Sequence, residues 1–185
     1  IAMNSGAAAT KAVARLVLLD GQFSHLPDVV AEGRQVIANI ERVSMLFLTK
    51  TAYATTLAIV FGVLVLQFPF LPRQLSITDG LTIGIPAFIL SLAPNHERAR
   101  PGFVTRTLAV AIPSGLIVAA AAIITYVVTR GFGDVSDTAQ TQASTATLIA
   151  LILTATWVLS IVARPYQWWR LGLVAFAYGF YFLVF

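Results

Sequence analysis

Long apolar runs, each close to the length of a membrane-spanning helix, fill the chain from Met45 onward. Short segments with charged residues, glycine or proline separate these runs. An α-helix needs about 20 apolar residues to cross the hydrocarbon of a bilayer. The pattern therefore predicts a polytopic all-α membrane protein with five transmembrane helices, at about 45–66, 74–93, 104–128, 145–163 and 168–185.

The segment before the first span has the spacing of an amphipathic helix. Its apolar positions, Val36, Ile37, Ile40 and Val43, recur every three or four residues with polar residues between them. No helix-breaking residue separates this segment from the first span. We expect the segment from Gly33 onward to continue into the membrane as one long helix, the stalk.

The first 32 residues have a different pattern. Two short apolar runs, Ile1–Met3 and Leu16–Leu19, flank an alanine-rich segment, and Asp20 and Gly21 are typical of a turn. This order predicts a strand, a helix and a second strand. A piece of this size is too small to fold alone, so we expect it to complete a sheet of a longer protein whose C-terminal part is this chain.

Composition supports the membrane assignment. Hydrophobic residues make up 58% of the chain, charged residues only 11%, and the mean hydropathy is +0.83. Soluble domains carry about a quarter charged residues, so we expect lipid to cover this surface. The absence of cysteine excludes disulfides and thiolate metal sites. The net charge of +4 follows from membrane topology, and no nucleic-acid partner is expected.

The distribution of basic residues predicts the orientation. If the N-terminus is cytoplasmic, nine of the 12 Lys and Arg residues fall in cytoplasmic segments, two in external loops and Lys50 within a span. Cytoplasmic segments of membrane proteins carry such an excess. The polar segment 131–144 is then an external loop.

Two ionisable residues lie within the apolar spans, Lys50 and Asp79. A charge at membrane depth costs several kcal/mol, so each is a candidate functional residue. Lys50 lies near the cytoplasmic start of its span, where its long side chain could instead extend to the interface. Asp79 is too short for that, and its alternative role is a hydrogen-bonded packing residue.

The residues that follow Asp79 favour a cation site. Gly80, Gly84 and Pro86 weaken the helix, because glycine permits unwinding and proline removes a backbone donor. Freed carbonyls, the Thr82 hydroxyl and one carboxylate are oxygen ligands that suit a hard cation such as calcium or magnesium. The alternative is a kinked helix with small residues at a packing contact.

A family resemblance emerges from the N-terminal half. The opening "IAM", the later "LVLLD" and the stalk pattern of Glu32 to Arg34 and Ile37 to Arg42 resemble the end of the phosphorylation domain in cation-transporting P-type ATPases. The match continues through the second span, which corresponds to the sixth membrane helix of that family. Beyond that span the resemblance is one of topology.

The resemblance implies a domain boundary and a division of labour. Residues 1–32 would end an α/β cytoplasmic phosphorylation domain, and residues 33–185 would form the stalk and membrane helices five to nine. The family uses ATP and Mg²⁺ to form an aspartyl phosphate and so drives a cation across the membrane. This chain lacks the phosphorylated aspartate and the ATP-binding domain. It would be the transport part of an enzyme, with no catalytic residue of its own, in the plasma membrane and paired with the rest of the pump.

The resemblance also implies a ligand set. It places Asp79 and Thr82 at ligand positions of the sixth helix, and Thr51 at a ligand position of the fifth. Ile83 and Ala54 stand where calcium pumps have acidic ligands, so one cation per cycle is expected. The sixth helix resembles that of actinobacterial calcium-type members most. The alternatives are a proton- or magnesium-moving pump, and a scaffold or channel without ATPase activity.

The role of Lys50 stays open between two interpretations. The sequence Leu48-Thr49-Lys50 resembles the fifth helix of gastric proton pumps, where a lysine pairs with a carboxylate of the sixth helix. Measured inward from opposite faces of the bilayer, however, Lys50 and Asp79 differ in depth by about 15 Å at 1.5 Å per residue. Lys50 is thus either an internal counter-charge for Asp79 or a residue that reaches the interface.

Overall fold

The computed structural model describes residues 1–93, 101–131, 136–164 and 166–184. It divides into two compact units, one formed by Ile1–Ala38 and the other by the described residues from Asn39 onward. The strands are β1, Ala2–Met3, and β2, Val17–Leu18, and the helices are α1, Ala8–Val13; α2, Leu26–Val63; α3, Pro72–Asp79; α4, Ile85–Ser91; α5, Phe103–Arg130; α6, Asp137–Val162; and α7, Trp168–Val184.

The first unit contains the predicted strand, helix and strand. β1 and β2 pair in parallel, with Ala2 opposite Val17, and α1 connects them. Gly21 follows β2 with a φ of 68°, which is a turn conformation. The Gln22 backbone N–H donates to Asp20 Oδ1, and this bond, with a smaller effect of His25, lowers the pKa of Asp20 below its usual value.

Helix α2 confirms the predicted continuity of the stalk with the first span. It runs for 38 residues, from Leu26 to Val63, without interruption. Pro27 lies in its first turn, where the missing N–H has no helical partner to lose. Gly33 and Gly62 lie within it and do not break it.

Four helical segments of the described chain are long and apolar enough to cross a membrane. The first contains α2, the second contains α3 and α4, and the third and fourth are α5 and α6. The fifth predicted span forms α7, which has 17 residues. Helix α6 begins at Asp137, so residues 137–144 are helical and the prediction of a loop there was wrong. Ser136 begins that helix by accepting a hydrogen bond from the N–H of Ala139 at 3.3 Å.

The second span changes its helical form between α3 and α4. Gly80–Gly84 forms a π-helix, and the Ile85 N–H donates to the Gly80 carbonyl, five residues earlier. The backbone at Gly80 and Gly84 nevertheless keeps right-handed helical dihedral angles. The helix therefore widens at the predicted position but does not unwind. A π-turn keeps backbone groups paired where lipid offers no partner, whereas extended backbone would leave them unpaired.

Polar contacts connect α2 with α4 and α5 within the second unit. The buried Asn39 side chain donates to the Ser91 and Ala93 carbonyls, at 2.9 and 2.8 Å, and so binds the end of α4. Glu41 accepts two hydrogen bonds from the Arg106 guanidinium, each at 2.9 Å. A two-bond carboxylate–guanidinium pair has a defined geometry, so both contacts favour one position of α2 against its neighbours.

Candidate cation site

Lys50 and Asp79, the two charged residues that the sequence singled out within the spans, form an ion pair. The Lys50 Nζ lies 2.6 Å from Asp79 Oδ2. The depth difference of about 15 Å that the sequence suggested was therefore too large. The connection between α2 and α3 joins the C-terminal end of α2 to the N-terminal end of α3. Lys50 lies about 20 Å from that end of α2, and Asp79 lies about 10 Å from that end of α3. A lysine side chain reaches across most of that difference, and here it extends to Asp79 and not to the interface.

Tyr53 is a third member of the site, and our sequence analysis missed it. Its hydroxyl donates to Asp79 Oδ1 at 3.3 Å, and the residue is only 3% exposed. The two carboxylate oxygens therefore have different partners, Tyr53 on one and Lys50 on the other. The signal was available in the sequence: Tyr53 follows Lys50 by three residues, so both lie on one side of α2.

Thr82 lies in the π-helix next to this group. It is buried, and its hydroxyl donates to the Thr78 carbonyl at 2.7 Å. The Tyr181 hydroxyl of α7 donates to the same carbonyl at 3.2 Å. A hydroxyl that donates one bond keeps oxygen lone pairs that can face a cation. A small pocket places Thr82 together with Thr49, Lys50, Tyr53 and residues of α6.

Thr51 is not brought to this group. It is exposed, and its hydroxyl donates to the Phe47 carbonyl of its own helix at 3.0 Å. Thr49 is the threonine of α2 that lines the pocket, and it is 4% exposed. One residue turns an α-helix by about 100°, so Lys50 and Thr51 cannot point in the same direction.

The other predicted residues form the π-helix and its end. Gly80 and Gly84 lie within it, and Pro86 occupies the first turn of α4. A Cβ at Gly80 would meet nothing within 4 Å, and one at Gly84 would be at ordinary contact distance from the Asp79 carbonyl oxygen. Packing within the described chain thus does not require glycine at either position. The two glycines act instead through the conformational freedom that they give the backbone.

Asp79 is the only acidic residue of the predicted spans. In the part of the chain that the structure describes, no three His, Cys, Asp or Glu residues are grouped as a metal site. The side chains of Lys50 and Asp79 are 37% and 24% exposed, so the pair is open on one side. This arrangement is one carboxylate, one partly exposed ammonium group and neutral oxygens beside a π-helix.

These features define a class, a polytopic helical membrane protein with an ion pair inside its spans. Among known proteins, the chain is similar to the calcium-transporting ATPase CtpE of Mycolicibacterium smegmatis, with 53% identity over 195 aligned residues, covering 100% of the chain and 25% of that protein. CtpE of Mycobacterium bovis is 53% identical over 184 residues, covering 94% of the chain and 23% of that protein. No family model matches the chain.

A more distant relative has a broader name. The "Probable cation-transporting ATPase exp7" of Streptococcus pneumoniae is 30% identical over 189 residues, covering 97% of the chain and 24% of that protein. The chain therefore spans about a quarter of the length of these relatives. They confirm the resemblance to cation-transporting ATPases, and the chain fits a fragment of a P-type cation pump.

Proposed function

We propose that this chain is the transport part of an ATP-driven P-type pump for calcium or another divalent cation. The observation that carries the proposal is the Asp79 carboxylate within the spans, paired with Lys50. A transported cation needs a negative charge in a low-dielectric site, and Asp79 supplies the one available in these spans. The calcium-transporting ATPases among the relatives support the choice of ion.

The ion pair suggests how the site alternates between two states. As long as the Lys50 ammonium balances Asp79, a second cation at the same oxygen is repelled. Cation entry therefore requires the ammonium to leave, which its flexible stem permits. After the cation is released, the ammonium returns and neutralises the carboxylate. In this proposal Lys50 is an internal counter-charge, and no external counter-ion is needed at this carboxylate.

The remaining ligands would be neutral oxygens. Thr82 follows Asp79 by three residues and lines the same small pocket as Lys50 and Tyr53, and the carbonyls of the π-helix would supply further oxygens. Thr51, exposed on α2, lies away from this group and is left out of the proposed ligand set. Calcium binds six to eight oxygens, so the rest of the pump would add ligands to those of this chain.

The rest of the pump would also supply the chemistry. ATP and Mg²⁺ would act at its cytoplasmic domains, and the long helix α2 would transmit their motion to the site. The N-terminal unit would lie in the cytoplasm and the spans in the plasma membrane. A proton- or magnesium-moving pump is the alternative, because a single carboxylate also suits a proton or a partly hydrated Mg²⁺.

Transport by the full-length pump in inside-out vesicles tests this function. We expect ATP-dependent Ca²⁺ uptake, and we expect Asp79→Asn to abolish it while expression and membrane insertion persist, because an amide keeps the shape and removes the charge. Asp137→Asn, at the exposed start of α6, is the matched control and should transport normally. Near-normal uptake by Asp79→Asn would rule out the site. ATP-driven Mg²⁺ or proton movement without Ca²⁺ uptake would favour the alternative.

A further inference from the structure

We propose that Tyr53 is a positioning residue of this site. Its hydroxyl holds one oxygen of Asp79 in place, while the other oxygen exchanges Lys50 for the transported cation. The inference rests on the function proposed above and adds a residue to which neither the resemblance nor the relatives assign a role.

The two partners of the carboxylate differ in mobility. Tyr53 bonds Oδ1 and is 3% exposed, whereas the Lys50 side chain bonds Oδ2 and is 37% exposed. A tyrosine ring moves about two side-chain torsions, and a lysine about four, so the buried tyrosine is the fixed partner. Lys50 has both the freedom and the open side that departure requires.

Helix α5 packs closely against the backbone of α2 at Tyr53. A Cβ added at Gly115 would lie 3.1 Å from the Tyr53 backbone nitrogen, 2.8 Å from the Thr49 carbonyl oxygen and 2.5 Å from the Ala52 Cβ. Such an approach leaves no space for α2 to turn or shift locally towards α5. The tyrosine ring is part of the buried core that α2 forms with the other helices of the second unit.

This arrangement keeps the carboxylate oriented when Lys50 leaves. A free aspartate side chain would rotate and would lose that freedom again when a cation binds. A carboxylate already held by Tyr53 presents Oδ2 to the cation without that loss, which raises affinity by preorganisation. The role of Tyr53 is therefore in cation binding and not in the rate of the driven step.

Cation dependence of transport distinguishes this role from a structural one. In the full-length pump, Tyr53→Phe should raise the Ca²⁺ concentration for half-maximal uptake by about tenfold, because the released Asp79 side chain must then be ordered when the cation binds, with the maximal rate little changed. Tyr126→Phe is the matched control, since the buried Tyr126 bonds the Gln67 carbonyl and Gln140 and does not contact Asp79. It should leave half-saturation unchanged even if it lowers thermal stability.

Combining Tyr53→Phe with Lys50→Ala tests whether Tyr53 acts on cation binding or on Lys50. If Tyr53 orients Asp79 for the cation, the tenfold effect should persist when Tyr53→Phe is combined with Lys50→Ala. Wild-type half-saturation in Tyr53→Phe, or an effect that disappears without Lys50, would overturn the inference. Asp79→Asn tests the proposed function separately: if it abolishes uptake and Tyr53→Phe binds Ca²⁺ normally, only the role of Tyr53 fails.

Discussion

Gly115 of α5 lies against Ala52 of α2 so closely that a Cβ added to the glycine would be 2.5 Å from the Ala52 Cβ. Contacts between real Cβ atoms are longer, so this position requires a residue without a side chain. Ala52 lies between Lys50 and Tyr53 on α2. The contact therefore determines how near α5 can come to the helix that carries two of the three residues of the ion-pair site.

We expect Gly115→Ala to destabilise the protein by about 1–3 kcal/mol, the usual consequence of overpacking a buried contact. Thermal unfolding of the full-length protein in detergent measures it. The matched control is Gly62→Ala in the same helix bundle, because a Cβ at Gly62 would meet nothing within 4 Å. Equal stability of the two variants would contradict the close approach of α5 and α2.

Lys50→Ala should change how the pump responds to its cation. Without the ammonium, no cationic side chain balances Asp79 in the empty state, so Ca²⁺ no longer competes with Lys50 for the carboxylate and the apparent Ca²⁺ affinity should rise several-fold. In the proposed cycle the emptied Asp79 then lacks the charge that neutralises it for the return step, so the maximal rate of Ca²⁺-dependent ATP hydrolysis should fall. Cation-dependent ATPase assays measure both effects, and Lys50→Arg, which keeps the charge, should resemble the wild type more closely. Unchanged half-saturation in Lys50→Ala would show that the pair has no role in binding.

Asn39→Asp should be more harmful than Asn39→Ala. The buried amide donates to two carbonyls at the end of α4, and a carboxylate would place negative charge against both of them. Loss of the two donors and burial of the charge should cost at least about 2 kcal/mol of stability. Thermal unfolding compares both variants with Gln142→Glu, an exposed amide-to-acid change on α6. If Asn39→Asp unfolds at the wild-type temperature, the bonds to α4 are not important for stability.

Residue 136 should be accessible from outside the cell and residue 5 should not. The chain has no cysteine, so Ser136→Cys and Ser5→Cys each provide a single reactive thiol in a full-length pump from which any cysteine outside this chain has been removed. A membrane-impermeant maleimide applied to intact cells should label the first variant, and the second only after the membrane is opened. The reverse pattern would invert the orientation predicted from the basic residues.

The sequence by itself determined that the spans and the stalk are helices and that the N-terminal apolar runs are strands. Long apolar runs can form only helices in lipid, because no other single segment satisfies its own backbone there. The helical spacing of apolar residues in the stalk predicted that α2 is one helix. The two short apolar runs at the N-terminus form the two parallel strands. The position of α6 was predicted less well, because polar residues 137–144 can extend a helix beyond the membrane as easily as they form a loop.

Only the tertiary structure decided which of these residues meet. Lys50 and Asp79 are 2.6 Å apart, although the sequence left open whether the lysine pairs or reaches the interface. That outcome depends on how α2 and α3 lie beside each other and on how α2 is rotated about its axis. The same rotation of α2 turned Tyr53 towards Asp79 and Thr51 away from it. Local periodicity specifies that a helix forms, but its rotation about its own axis is determined by the neighbours it packs against.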